Sequence, residues 1–500
     1  MNAEEFRQFG KAAVDYLADY LENIRDKKVL PDVEPGYLRH LLPTNAPEEP
    51  DDWRDVLADM DRAIMPGMTH WHSPHFHAYY PTGNSYPGIV GEMMCAGMGT
   101  IGFTWMSGPA CTELEVITLD WLGQMLGLPE EFLSASPGHG GGVLQGSASE
   151  ATLVALLTAR ERYVRNHASS PSEEQQLRAK LVAYTSDQAN SSVEKAGILA
   201  AVPMRLLQTD ETCRLSAQTL RDAIQEDRAK GLIPCCLIAT LGTTGTCAFD
   251  PLEELAPVCQ ESGLWFHVDA AYAGSAFICP EYRYLMAGVE QSDSFNFNPH
   301  KWMLVNFDCS AMWVRDSREL VAAMSVDRVY LRHPKEGVMP DYRNWQIPLG
   351  RRFRALKLWF VLRLYGVKRI QEHIRTQCEL AKQFEAMVRK DERFEIVAPA
   401  SMGLVCFRLK GPNELTQEML TGLQTSGKIY VIGAVNAGCF LVRFAVCSRF
   451  TAYSDIEFAW KELQAHVPPH AISDKQGPLE TSLVHGAALN MTNNCHARVP

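Results

Sequence analysis

The sequence predicts an α/β protein: a large domain on a mainly parallel central sheet, preceded by an N-terminal helical segment and followed by a smaller α+β domain. Three observations lead there. Between about residues 85 and 358, helix-like stretches alternate with short apolar runs. The runs are KLVAYTS (180–186), IPCCLIATLG (233–242), LWFHVDA (264–270), SFNFN (294–298) and SAMWVRD (310–316), as expected of buried strands. Finally, a chain of 500 residues, 46% hydrophobic and 21% charged, is too long for one core and reads as two or three units.

Taken in order, Phe6, Phe9, Ala13, Leu17, Tyr20, Leu21 and Ile24 recur at three- and four-residue steps. They form the apolar stripe of a helix that packs on its own subunit or on a partner. Residues 30–53, rich in proline and acid, read as an extended connector. Residues 93–111 carry no charge but hold glycines and Pro109. That composition argues for a buried, closely packed segment and against a membrane span. A helix follows at 112–127, the α/β alternation runs to 358, and a long helix covers 354–389. FEIVAPA, GLVCFRL and CFLVRFAV then supply strands of the small domain. The units expected are 1–84, 85–358 and 359–472, with an aperiodic tail at 473–500 that reads as disordered.

Bulk properties exclude several function classes. A net charge of −12 disfavours nucleic acid and anionic membrane as partners. The 14 cysteines show no CxxC pair and no metal-ligand spacing, so they read as reduced structural thiols. The opening MNAEEFRQFG has early acids and no apolar signal core, which points to a cytoplasmic protein.

Three features carry chemistry. Ser147-Ala148-Ser149-Glu150 is a Ser-x-x-Glu capping box ahead of an apolar helix, whose free N–H groups can receive a phosphate. Asp269 ends the run LWFHVD and is followed by Ala270 and Ala271, so its charge can sit against a flat heteroaromatic ligand and keep a ring nitrogen protonated. Lys301, in NPHKW, follows another strand-like run. Alone, the box marks a helix start and the lysine is a solvated cation. Together, in this order, they describe a pyridoxal 5'-phosphate site: lysine for the Schiff base, aspartate for the pyridine nitrogen, helix start for the phosphate.

The stretches FHVDAAYAGSAFICPE, DSFNFNPHKWMLVNFDCSAMWV, GSASEATLVALL, IGFTWMSGPACTELE and YRNWQIPLGRRFRALKLWF resemble the aromatic-L-amino-acid decarboxylase family over about residues 1–470. The resemblance implies the fold-type I architecture of pyridoxal phosphate enzymes and a homodimer. It implies Lys301 as the Schiff-base lysine and Asp269 as partner of the pyridine nitrogen. Ser147, Ala148, Ser149 and Asn298 would hold the phosphate, with Thr244 near the cofactor. Thr82 would help place the substrate, and Trp71, Tyr79, Tyr80, Pro81, Ile101 and Phe103 would line an aromatic pocket, Ile101 and Phe103 coming from the second subunit. Tyr330, in SVDRVYLRHPKEGVMPDYR, matches the tyrosine of a mobile loop whose charges, proline and glycine suit a lid.

At two places the chain departs from the family's amine-forming members. Where they carry histidine, SDQANSSVE has Asn190, and beside Tyr79 stands Tyr80 where they more often have phenylalanine. Asn190 resembles the insect aromatic acetaldehyde synthases, and the resemblance sets it against the cofactor ring. Loss of CO2 leaves a carbanion that a decarboxylase must protonate. Histidine can hold and relay that proton; an amide cannot titrate. The smaller amide also leaves room for O2. The expectation is therefore decarboxylation and oxidative deamination of L-DOPA with O2 to aldehyde, CO2, NH3 and H2O2, which the resemblance links to crosslinking of insect cuticle protein. The alternatives are a conventional decarboxylase making dopamine or serotonin, and a non-catalytic binding protein, which the intact Lys301, Asp269 and phosphate helix oppose.

Overall fold

The computed structural model describes residues 1–472; the tail expected to be disordered lies outside the described residues. A seven-stranded sheet organises the large domain. Its strands are β1 (Gly141–Gln145), β2 (Leu181–Ser186), β3 (Met204–Leu207), β4 (Ile233–Thr240), β5 (Trp265–Asp269), β6 (Ser294–Phe297) and β7 (Ser310–Val314), in the order β1-β7-β6-β5-β4-β2-β3. Only β7 runs against its neighbours, so β1 shares the direction of β6, β5, β4, β2 and β3. All but β3 are buried along nearly their whole length, which is why their sequences lack a polar face.

The five strands read from the sequence are present, each trimmed at its ends. Two were not anticipated. β1 was hidden inside a glycine-rich stretch, and β3 is a four-residue strand at the sheet edge. The small domain adds an antiparallel sheet of β8 (Phe394–Ser401), β9 (Leu404–Leu409), β10 (Ile432–Asn436) and β11 (Cys439–Ala445), ordered β10-β11-β9-β8. The helix Arg354–Lys390 joins the two sheets and breaks at Gly366, whose φ of 66° lies in the left-handed region that glycine enters without strain.

Residues 75–83 stitch the two sheets together at the site. His77 donates its N–H to Tyr430 O at 2.8 Å and accepts from Ala445 N at 3.0 Å; Gly83 N donates to His300 O at 2.7 Å. In the N-terminal helix Ala3–Glu22, Leu21 is buried while Phe6 and Leu17 are exposed.

The uncharged segment 93–111 is buried on one side only, contrary to expectation. Helix Tyr86–Met98 turns Gly88, Gly91 and Cys95 inward, whereas Met93, Met94, Met98, Ile101 and Met106 are each about half exposed, at 45% to 52%. The glycines explain the asymmetry. A Cβ on Gly91 would lie 2.6 Å from Lys357 Cα, so this face exists for close backbone approach and the larger side chains point away.

Among the described residues no helix is long and apolar enough to cross a membrane, no cluster is suited to a metal, and every cysteine is free.

Candidate active site

The expected residues converge because they follow strands that point the same way. Ser147 to Ser149 come after β1, Asn190 after β2, Thr244 after β4, Asp269 ends β5, and Asn298 and Lys301 come after β6. The carboxyl edge of a parallel sheet is where such folds bind ligands.

At the phosphate end, Ser147 caps the 20-residue helix Ala148–His167, its Oγ accepting Glu150 N at 3.2 Å, while Glu150 accepts Gly146 N at 2.7 Å. The N–H groups of Ala148 and Ser149 make no hydrogen bond to the described residues, so they remain available to an anion at the positive end of the helix. Buried polar atoms without protein partners cluster along the same edge: Ser186 Oγ, Thr240 Oγ1, Thr246 Oγ1 and Asn298 Oδ1. A buried orphan costs about 1–3 kcal/mol, and orphans on the edge that also carries Lys301 and Asp269 suit a polar ligand there.

Asp269 is 3% exposed. Its Oδ1 accepts Ala271 N at 3.0 Å and Asn296 Nδ2 at 3.4 Å, and no protein hydrogen bond reaches Oδ2. Burial raises the carboxyl's pKa, and Lys301, Ala271 and Asn296 pull it back. The Lys301 amine has no hydrogen-bond or ion-pair partner among the described residues; its Nζ lies 5.8 Å from the centre of the Tyr80 ring. Burial lowers the pKa of this amine, Asp269 opposes that, and Arg443 adds to it. An amine so depressed is a better nucleophile toward a carbonyl. A free carboxylate oxygen, an unpaired amine and an open helix start match the three polar ends of pyridoxal 5'-phosphate, and the residues present fit it.

The wall around Lys301 is aromatic. Tyr80 stacks on Tyr272 at 3.7 Å, and Tyr272 on Trp302 at 4.8 Å. Tyr80 donates its hydroxyl to Thr243 O at 3.1 Å. Trp71 stacks on Tyr79 at 5.6 Å, and Tyr79 bonds Tyr430 at 2.9 Å between hydroxyls. Tyr79 adopts φ 58°, a strained conformation for a tyrosine that sets the turn into Tyr80, Pro81 and Thr82. Trp71, Pro81, Thr82 and Lys301 line one small cleft.

Asn190 is the N-cap of the helix Ser191–Ala200. Its Oδ1 accepts Ser192 N at 3.0 Å, and its Nδ2 donates to Thr244 Oγ1 at 3.0 Å. Both ends of the amide are thereby held. Ile101 and Phe103 lie apart, on the loop after Tyr86–Met98, and no hydrogen bond or ring contact joins them to the Lys301 group. Tyr330 is 77% exposed on a single turn of its loop.

Sequence reasoning missed Arg443. It is 2% exposed, donates Nε to Gly245 O at 3.2 Å and lies over the Tyr80 ring at 4.8 Å. Its signal was a single charge inside the apolar run CFLVRFAV. Asp250 was also missed. It accepts Thr240 N and Leu215 N at 2.8 and 2.9 Å at the end of β4, and burial pushes its carboxyl up to about 6.

Fold and site together define a pyridoxal phosphate enzyme of fold type I. Residues 35–410 match the pyridoxal-dependent decarboxylase conserved domain. The chain is 58% identical over 471 residues to 3,4-dihydroxyphenylacetaldehyde synthase of Drosophila melanogaster, covering 93% of this chain and 92% of that one. It is 57% identical over 467 residues to aromatic-L-amino-acid decarboxylase of Drosophila simulans, covering 93% and 91%. Among solved structures, that of Oryza sativa TDC with PLP and tryptamine superposes with a TM-score of 0.90 at 39% identity, covering 93% of this chain and 98% of that one. The chain belongs to the aromatic-L-amino-acid decarboxylase family of pyridoxal phosphate-dependent decarboxylases.

Proposed function

We propose that this decarboxylase hands its substrate to O2 after CO2 has left. L-DOPA, O2 and water would give 3,4-dihydroxyphenylacetaldehyde, CO2, NH3 and H2O2. The two Drosophila relatives differ by one point of identity, so overall similarity favours neither aldehyde nor amine. Residue 190 is what favours the aldehyde.

Bound pyridoxal phosphate supplies the electron sink for decarboxylation. Lys301 would anchor it, Asp269 would partner its ring nitrogen, and Ala148 N, Ser149 N, Ser147 and Asn298 would receive its phosphate. Trp71, Tyr79, Tyr80, Pro81 and Thr82 hold the aromatic side chain of the substrate. The carbanion left at Cα then needs a proton or an oxidant. Asn190 cannot provide the proton: it has no titratable group, and its amide is committed to Ser192 and Thr244. The Tyr80 hydroxyl is committed to Thr243 O, and its pKa is raised well above that of an ordinary phenol. Tyr330, which the family resemblance places on a mobile loop, is exposed and stands clear of the aromatic wall around Lys301.

The apolar face of Met93, Met94, Met98, Ile101 and Met106 supports a second copy of the chain as its cover, bringing Ile101 and Phe103 to the neighbouring site.

The test is purified protein with L-DOPA in air, following CO2, dopamine, aldehyde, O2 and H2O2 together. Aldehyde with one O2 consumed per CO2 is the expected result. Dopamine without H2O2, unaffected by removing oxygen, overturns the reading.

A further inference from the structure

Strands β5 and β6 carry polar side chains where buried strands should be apolar. On β5, Trp265, His267 and Asp269 share one face by the two-residue period; on β6, Ser294 and Asn296 do the same. The register pairs His267 with Ser294 and Asp269 with Asn296. All five side chains are 3% exposed or less. Four contacts connect them. Trp265 Nε1 to Ser294 Oγ is 2.8 Å, Ser294 Oγ to His267 Nδ1 is 2.8 Å, His267 Nε2 to Asn296 Oδ1 is 2.9 Å, and Asn296 Nδ2 to Asp269 Oδ1 is 3.4 Å.

The two ends of this row fix the direction of every bond. The indole of Trp265 can only donate, and the carboxylate of Asp269 can only accept. Asn296 must therefore turn its Nδ2 to Asp269, because the flipped amide would set oxygen against oxygen. That leaves Asn296 Oδ1 to accept, so the proton of His267 resides on Nε2. His267 Nδ1 then accepts from the hydroxyl of Ser294, which in turn accepts from Trp265. Burial keeps the imidazole neutral, pushed down to about 4, so it carries one proton and one tautomer satisfies the row.

We propose that His267 is a positioning residue for the cofactor. Its Nε2–H locks the Asn296 amide, and that amide fixes Asp269 by Oδ1 so that Oδ2 faces the pyridine nitrogen. The physical argument is one of cost. Four buried polar side chains on two central strands are tolerated only in a fully satisfied network, and such a network specifies one arrangement. It ends on the one carboxylate oxygen that a ring nitrogen does not need. Burial raises the carboxyl's pKa, and the Asn296 donor at the end of the row, like Lys301 and Ala271, favours the ionised form against it.

This inference rests on reading Asp269 as the partner of the ring nitrogen, independently of whether aldehyde or amine is released. The experiment compares parent, His267→Phe and His267→Gln by titrating apoprotein with pyridoxal phosphate, and by following the visible absorption of the bound cofactor against pH. Phenylalanine keeps the ring but loses the donor; glutamine restores an N–H. The expected result is about a tenfold loss of cofactor affinity with a shifted pH midpoint in His267→Phe, and recovery of most of both in His267→Gln. Affinity and midpoint at parental values in His267→Phe overturn the proposal, as does an equal loss in both variants, which would mark packing alone. If His267→Phe does not fold, Ser294→Ala removes the donor that selects the tautomer. A weaker shift in the same direction supports the relay, and parental values refute it. Asp269→Ala separates the two levels: unchanged cofactor affinity there sinks the reading of Asp269 itself, whereas loss there beside a parental His267→Phe sinks only the relay.

Discussion

Asn190→His should move the product from aldehyde toward amine, and the structure allows the size of the effect to be worked out. The substitution removes the N-cap of the helix Ser191–Ala200 and the bond to Thr244 Oγ1. A lost asparagine cap costs about 1 kcal/mol, and a lost hydrogen bond about another. The variant should thus be roughly 2 kcal/mol less stable, yet still folded. Lys301, Asp269 and the helix start at Ser147, the groups proposed to hold the cofactor, share no hydrogen bond with residue 190, so the rate of CO2 release should stay within a few-fold. What changes is competition for the carbanion. A positioned general acid contributes about 10²–10⁴ in rate. A hundredfold faster protonation, about 2.7 kcal/mol in barrier, takes a site that favours aldehyde by ten to one and makes it favour amine by the same factor. The assay follows a limiting amount of L-DOPA in air, with dopamine and aldehyde separated chromatographically and O2 uptake and CO2 recorded in parallel. An unchanged aldehyde fraction at unchanged CO2 release would show that residue 190 does not govern partitioning, and would remove the observation on which the proposed function rests.

Tyr330→Phe should leave aldehyde formation in place if O2 and not a phenol proton meets the carbanion; aldehyde release that stops while CO2 continues gives the loop a different task. Asp455 binds Arg25 at 2.9 Å, His75 Nε2 at 3.1 Å and Ala452 N at 2.8 Å, tying the N-terminal segment to the helix Tyr453–Ala465. Burial alone would raise its carboxyl, but His75 and Arg25 outweigh burial and hold it well below the usual carboxylate range. A depressed acid stabilises the fold fully above its unfolded pKa of about 4 and loses that contribution as pH falls further. Asp455→Asn should therefore cost about 2 kcal/mol at pH 7 in urea unfolding and progressively less below pH 4; an equal cost at all pH values would contradict the ion-pair account. Gly91→Ala forces a Cβ to 2.6 Å from Lys357 Cα and should destabilise by about 1–3 kcal/mol despite alanine's better helix propensity, seen as a lower thermal midpoint.

What could be read from the sequence depended on how local the signal was. The strands around Asp269 and Lys301 announced themselves because burial on both faces removes polar residues, and the capping box at Ser147 is a four-residue pattern. β1 and β3 were illegible: Gly141-Gly142 looks like a loop until β7 pairs with it, and Met204–Leu207 is short. The buried pair of Glu115 and Arg351, both at 0% exposure, joins residues 236 positions apart, and neither letter signals a core position. Arg443 was similarly hidden in its strand. What covers the methionine face at 93–106 was not legible, because an uncharged segment is the same text whether a chain buries it against itself or leaves it for another surface.

Asn190 combines two functions, and their energetics differ. As an N-cap, asparagine is among the most favourable residues available, since its short amide reaches the N–H two positions on. As a proton relay it is useless. The fold therefore sets no stability barrier against losing a titratable group at this position; by the cap criterion it rewards the loss. The other residues of the proposed site are anchored elsewhere, Lys301 after β6, Asp269 in its buried row, and the helix start at Ser147 after β1, and none of these three shares a hydrogen bond with residue 190. Thr244, whose hydroxyl accepts from the Asn190 amide, stands on a separate turn after β4. On the proposed function, decarboxylation and the fate of its carbanion are structurally separable, and exchange of the side chain at 190 should redirect the second while leaving the first intact.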